Sequence, residues 1–306
     1  MLTPRALVPG DRIALVSPAS PCVREEFDRG VHTLTALGFQ PTWDESVFAR
    51  RGYVSGPAEV RATAFLDAWQ DPSVSALMAV RGGYGSVQLL ARLAPDLLRR
   101  TPKPFIGYSD TTALLTWLTL GCGIVAFHGP MLEGRLSRGA EGFDLASFAS
   151  ALRPTPMGVL EPPGLSVLQS GEASGPLFGG TLTQLASSLG TPYAFLPPDG
   201  SVLFLEDVNE RPYRVDRLLT QLRLAGVLAK ARAIVLGEMP GCDEPGGEPS
   251  VQDALRSALE GFRGPIVMGF PSGHTAGPSW TLPLGVRVRV VARDRPKLVI
   301  EEAAVA

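Results

Sequence analysis

The chain of 306 residues is long enough for one large domain or two ordinary ones, and 45% hydrophobic with 19% charged residues supports a substantial core. A formal net charge of −2, with the aromatic residues scattered and no basic run among them, points to neither a nucleic-acid partner nor a membrane surface. The three cysteines, Cys22, Cys122 and Cys242, form no CxxC pair or Cys/His cluster, so no metal site and no disulfide framework is expected, and a reducing, cytoplasmic setting is the default.

The N-terminus lacks a charged segment followed by an apolar one, so no signal peptide is expected. No apolar run reaches the roughly 20 residues of a membrane span. Arg12–Ser17 reads as a short buried strand. Glu25–Leu37 reads as a helix stopped by Gly38, and Pro57–Trp69 as a second helix with Ala62, Phe65, Leu66 and Trp69 on one face. Val74–Val80 is a predicted strand, Arg81–Gly85 a tight loop and Ser86–Leu93 a helix. A short strand at Phe105-Ile106, its following helix and a strand over Gly123–Phe127 complete an alternation that predicts an α/β domain with a parallel sheet.

The pattern loosens beyond Ala140. Pro/Gly punctuation at Arg153–Gly158 and Glu161–Gly164 predicts an interdomain linker over 151–175, between an N-terminal α/β domain (1–150) and a β-rich C-terminal domain (176–306). In that second part Ser201–Glu206, Ala231–Glu238 and Pro265–Phe270 read as strands. Tyr213–Leu224 and Val251–Leu259 read as helices, and 280–292 with 297–305 as a hairpin or small barrel. No internal repeat is present.

The chemistry concentrates in a few places. Phe105-Ile106 runs into Gly107-Tyr108-Ser109, and a helix pattern follows at once. A serine at a sharp strand-to-helix turn is a nucleophile elbow. Serine is equally a favoured helix cap, and spacing alone leaves the two readings even. Gly107 favours chemistry, because a small residue relieves crowding in an elbow. Thr111 stands where the usual G-x-S-x-G pattern has its second glycine. The backbone N–H of Asp110 is the first candidate oxyanion donor. Gly82 and Gly83, in the loop Arg81-Gly-Gly-Tyr-Gly85, are candidates for the second; a dinucleotide turn without G-x-G-x-x-G spacing, or a plain tight turn, are the other readings.

Only three histidines occur. His32 lies inside a helix pattern. His128 ends a strand in the same half as Ser109, as a base or a structural hydrogen-bonder. His274 sits in a glycine-rich loop after a strand, a setting that carries catalytic residues on rigid scaffolds. Two strands end in carboxylates, Glu206 and Glu238, and either suits the orienting of a histidine. The pattern does not rank them.

Taken together, Val8–Pro18, Asp71–Leu77, Arg81–Gly85, Gly107–Leu114, Phe127–Pro130, Phe178–Leu185, Leu205–Tyr213 with Asp216-Arg217, and Gly273–Thr275 resemble the LD-carboxypeptidase family of serine peptidases. That family includes muramoyltetrapeptide carboxypeptidases and microcin C self-immunity peptidases. The resemblance implies a Ser–Glu–His triad of Ser109, Glu206 and His274, with Ser109 from the α/β domain and the other two from the β-rich domain. It implies no cofactor, a cytoplasmic homodimer and a small peptide substrate, a murein tetrapeptide that loses its terminal D-alanine. A microcin-C-type peptidase acting on an aminoacyl-nucleotide amide is the alternative. It needs an aromatic surface for the base, and Ser137–Leu168 offers Phe143 and Phe148 but no tryptophan. A non-catalytic peptide-binding protein on the same fold is a further alternative, disfavoured because all three triad positions are filled. Arg81, Tyr84 and Arg211 are candidate substrate-binding residues.

Overall fold

A computed structural model describes the whole chain from Met1 to Ala306. The run Ile13-Ala14-Leu15-Val16 is buried on both faces, as an inner strand of a covered parallel sheet must be. It forms β1 (Arg12–Val16), followed by α1 (Arg24–Ala36), β2 (Gln40–Thr42), α2 (Ala58–Gln70) and β3 (Val74–Ala79). Then come a 3₁₀ segment at Ser86–Arg92, α3 (Pro95–Arg100) and β4 (Phe105–Gly107). After a single 3₁₀ turn at Ser109–Thr111 the chain enters α4 (Thr112–Thr116), β5 (Ala126–His128) and, past a 3₁₀ segment at Leu136–Glu141, α5 (Leu145–Ala151).

The second part holds β6 (Gly158–Leu160), β7 (Ser166–Gln169), β8 (Gly171–Thr181), α6 (Leu182–Ser187) and β9 (Ser201–Glu206). It continues through α7 (Pro212–Leu224), α8 (Val227–Lys230), β10 (Ala231–Gly237), α9 (Val251–Ala258) and β11 (Ile266–Phe270). Three short strands end it: β12 (Leu282–Leu284), β13 (Arg287–Ala292) and β14 (Lys297–Ile300).

Two sheets result. The first has the order β2-β1-β3-β4-β5-β12, parallel except for β12, which pairs antiparallel with β5 and sets Leu282 opposite His128. The second has the order β6-β14-β13-β8-β9-β10-β11-β7. Its centre, β8 to β11, is parallel. The hairpin β13–β14 and the strands β6 and β7 are antiparallel additions. The fold is α/β with a parallel-sheet core in each of two domains; the alternation of elements predicts it for the first, whereas the part read only as β-rich also has a parallel core, β8 to β11.

The boundary differs from the reading of residues 151–175 as a linker. That stretch contributes β6, β7 and the start of β8 to the second sheet. β8 is hard to see in sequence because it reads Gly-Glu-Ala-Ser-Gly-Pro-Leu-Phe-Gly-Gly-Thr. A Cβ at Gly175 would lie 2.0 Å from the carbonyl oxygen of Gly200, and one at Gly179 would lie 1.8 Å from that of Phe204. Close strand packing therefore demands the residues that hide the strand from a hydropathy reading. The predicted strand Gly123–Phe127 also shifts to Ala126–His128, which draws His128 into the sheet.

Helix ends follow local chemistry. Ser250 and Asp253 form a reciprocal capping box at the start of α9. The buried ammonium of Lys103 bonds the carbonyls of Ala68 and Asp71 at the end of α2, and burial pulls its pKa down to about 8. One hydrophobic cluster unites both sheets, from Phe65, Trp69 and Phe105 to Phe204, Phe270 and Val290. A second packs α6, α7 and α9 on the far face of the second sheet. No helix is long and apolar enough to cross a membrane.

Candidate active site

Open parallel sheets bind ligands beyond the carboxyl ends of their strands. Here Arg81–Gly85 follows β3, Ser109 follows β4, His128 ends β5, Glu206 ends β9 and the His274 loop follows β11.

Ser109 has φ = +62°, one of only three non-glycine residues with positive φ. A helix-capping serine has extended backbone angles, so the cap reading does not hold. A left-handed serine costs on the order of 1–3 kcal/mol and persists only where the surroundings enforce it. The enforcement is visible. Thr111 Oγ1 donates to the carbonyl of Tyr108 at 2.8 Å, and a Cβ on Gly107 would lie 2.5 Å from Thr111 Oγ1. Gly107 and Thr111 are thus both parts of the turn, and a second glycine is not needed. A Cβ on Gly82 would come within 3.0 Å of Ser109 Oγ, so the glycine loop lies against the hydroxyl.

Glu206 is fully buried. Its Oε2 accepts from His274 twice, from the ring Nδ1 at 2.8 Å and from the backbone N–H at 3.0 Å. Its Oε1 accepts from the Thr181 hydroxyl and lies 3.8 Å from His128 Nε2, too far for a hydrogen bond. Burial alone would raise the carboxyl pKa; the two imidazoles outweigh it and hold Glu206 well below the usual carboxylate range. Burial likewise pulls His274 down, but the Glu206 carboxylate wins and its pKa is raised. Glycines make room for this packing, since a Cβ on Gly237 would meet Glu206 Cβ at 2.5 Å. Glu238, the other strand-end carboxylate, accepts from Thr275 Oγ1 at 2.5 Å and from the Ala276 N–H at 3.0 Å. It braces the loop without touching the imidazole.

The rings of Tyr108 and His274 meet edge to face at 5.1 Å between centroids, which brings the serine turn and the histidine loop together. Ser109 and His274 are not hydrogen-bonded to each other. In unliganded enzymes such bonds are often long and tighten when substrate binds.

The other expected residues fall in different places. The backbone N–H groups of Gly82 and Gly83 donate to nothing in the chain. Gly82 faces Ser109, whereas Gly83, at φ = +98°, faces Ser20. Asp110 turns its side chain inward and accepts from the Ser86 N–H at 2.8 Å. Arg81 is paired with Glu133 at 2.8 Å and Arg211 with Glu244 at 2.5 Å, so both arrive with a carboxylate already in place. Tyr84 is exposed and packs against the exposed Tyr53, 5.5 Å between ring centroids. Phe143 and Phe148 are buried against each other and offer no stacking surface.

Two residues at the site escaped the sequence reading. Arg61 of α2 is buried and donates to the carbonyls of Pro18, Gly56 and Gly85, tying the glycine loop to its neighbours. Arg135 is buried beside the His274 loop. Neither has a motif around it.

Profiles for the LD-carboxypeptidase N-terminal and C-terminal domains match residues 13–129 and 174–290. The chain belongs to the LD-carboxypeptidase family. It is accordingly a serine-type carboxypeptidase, a hydrolase of peptide bonds. A probable murein peptide carboxypeptidase of Bacillus subtilis is 32% identical over 97% of this chain and 93% of its own length. The solved muramoyltetrapeptide carboxypeptidase of Oxalobacter formigenes superposes with a TM-score of 0.82 at 30% identity, covering 94% of this chain and 97% of the other. The microcin C7 self-immunity protein MccF, solved without ligand, superposes over the whole of both chains with a TM-score of 0.91 at 28% identity. This LD-carboxypeptidase family member thus stands near relatives named for two different substrates.

Proposed function

We propose that this chain is an LD-carboxypeptidase that releases the terminal D-alanine of murein tetrapeptides through an acyl-enzyme on Ser109. One observation carries the mechanism: a fully buried glutamate grips a histidine through both Nδ1 and the backbone, across from a serine in left-handed conformation. With Nδ1–H donated to Glu206, the free Nε2 of His274 is the basic nitrogen. Nε2 takes the Ser109 proton as Oγ attacks the amide carbonyl between the L-centre of diaminopimelate and D-alanine. The imidazolium formed is stabilised by Glu206, and the oxyanion is held by the N–H groups of Gly82 and Asp110. His274 returns the proton to the leaving D-alanine amine, and water then releases the acyl group. The chain's similarity to the murein peptide carboxypeptidases supports this substrate.

A second reading has its own support. Tyr84, two residues after Gly82, packs against Tyr53, and the two exposed rings offer an aromatic surface that a nucleobase could use. With the close likeness to MccF, this favours an aminoacyl-nucleotide amide as substrate.

One experiment addresses both. Purified enzyme is incubated with murein tri-, tetra- and pentapeptides and, separately, with an aminoacyl sulfamoyl adenosine, and products are read by mass spectrometry. D-alanine from the tetrapeptide alone supports the first reading; cleavage of the nucleotide conjugate alone replaces it with the second. Ser109→Ala should leave only about a 10³-fold residue over the uncatalysed rate. Near-full activity in that variant refutes the nucleophile.

A further inference from the structure

Arg135 carries a charge in an unusual setting. Its side chain is buried, yet no carboxylate lies within ion-pair distance of its guanidinium. Carbonyl oxygens take its protons instead. Nη2 donates to Gly273 at 2.7 Å and to Thr275 at 3.0 Å, and Nη1 donates to Gly277 at 3.1 Å. The guanidinium carbon stands 5.8 Å from the centre of the Tyr108 ring. Burying a cation without a counter-ion is costly unless its donors are fully used. The cost falls at an informative place: Gly273 and Thr275 flank His274 on both sides, and Tyr108 directly precedes Ser109.

We infer that Arg135 is the positioning residue that aligns His274 with Ser109, by clamping both neighbours of the histidine against the residue before the serine. The inference rests on the proposed roles of Ser109 and His274. The two side chains come from different sheets, so their separation is set by contacts between the domains. On its own side the histidine loop is fixed by Glu206 and Glu238, which share its domain. These hold the Glu206–His274 pair together but do not locate it relative to β4. The Tyr108–His274 ring contact and the His128 Nδ1–Ser272 Oγ hydrogen bond at 2.9 Å reach across, and Arg135, which leads into the 3₁₀ segment after β5, adds the contact that holds both neighbours of His274 at once. Only a planar fork of fixed donors reaches three carbonyls at once, and a lysine ammonium in the same space does not.

The test uses the full-length enzyme with Arg135→Lys and Arg135→Met. Labelling of the wild type, but not of Ser109→Ala, by an active-serine phosphonate checks the underlying site reading separately. If the wild type labels, the expected result for Arg135→Lys is a fall in kcat of about 10²-fold, the scale of an ångström-level misplacement, with KM within threefold. The downfield proton resonance of the His274–Glu206 hydrogen bond should persist in Arg135→Lys, because the pair moves as a unit. Arg135→Met should lose at least as much in kcat. Retention of kcat within threefold in Arg135→Lys overturns the inference. So does loss of the downfield resonance, or of the cooperative thermal transition in both variants, either of which makes Arg135 a residue that holds the fold and not the alignment.

Discussion

Ser109, Glu206 and His274 each bear a departure from ordinary backbone or solvation chemistry, and each departure has a measurable consequence. Replacing Glu206 by Gln keeps the volume and removes the charge. His274 then loses both the partner that fixes its tautomer and the countercharge for its imidazolium, so kcat should fall about 10³–10⁴-fold with little change in KM, read from steady-state D-alanine release. Under the proposed mechanism the acid limb of kcat/KM reports the neutral fraction of His274. Its pKa is raised above the ordinary value of about 6.5, chiefly because the Glu206 pull exceeds the effect of burial; Asp207 adds to the pull and Arg135 opposes it. Activity should therefore decline as pH falls through a midpoint above about 6.5, and a midpoint below that value contradicts the assigned base. Stability follows the opposite group. Glu206 is depressed in the folded protein, so its contribution is present above the unfolded value of about 4.3 and is lost as pH falls toward the folded one. The urea midpoint should decline below about pH 4.

The strands and loops that hold these residues depend on glycine at particular contacts. Gly237 ends β10 where a Cβ would strike Glu206 Cβ at 2.5 Å, while Gly246 has nothing within 4 Å. Gly237→Ala should push Glu206 off its hydrogen bonds, costing about 1–3 kcal/mol by urea denaturation and most of the activity. Gly246→Ala should change neither. Equal behaviour of the two variants would mean that the fit around Glu206 is looser than the structure describes. The same contacts explain a limit on legibility. Inner strands such as β1 and β9 announce themselves as apolar runs, whereas β8 does not, because its glycines are dictated by a neighbouring strand that the local sequence does not reveal.

The two sheets share more than a linker. β12, from the C-terminal part, adds the last strand to the first sheet, and Ala306 exchanges backbone hydrogen bonds with Pro4 and Ala6 near the other end of the chain. The larger hydrophobic cluster runs through both sheets. We propose that the N-terminal domain is not autonomous. A fragment of residues 1–150 should show no cooperative thermal unfolding by circular dichroism, and co-expression with 151–306 should restore it. A cooperative melt of the isolated fragment, near that of the whole chain, would show that β12 and the C-terminal contacts are dispensable.

Alternating apolar runs and helix patterns were enough to read an α/β chain with a parallel sheet in its first half, because hydrophobic periodicity and turn residues act over a few positions. The motif around Ser109 and the order of the other motifs were enough to read the family. Whether Ser109 caps a helix or sits strained at an elbow was not legible, since the answer depends on Gly82, Gly107 and Thr111 packing around it. Nor could spacing choose between Glu206 and Glu238. Both end strands, and the choice turns on which carboxylate the fold of Gly273 brings against His274. Arg135 was invisible for the same reason: the carbonyls it holds in the His274 loop lie more than 130 residues away, and only chain packing makes a buried guanidinium without a counter-ion meaningful.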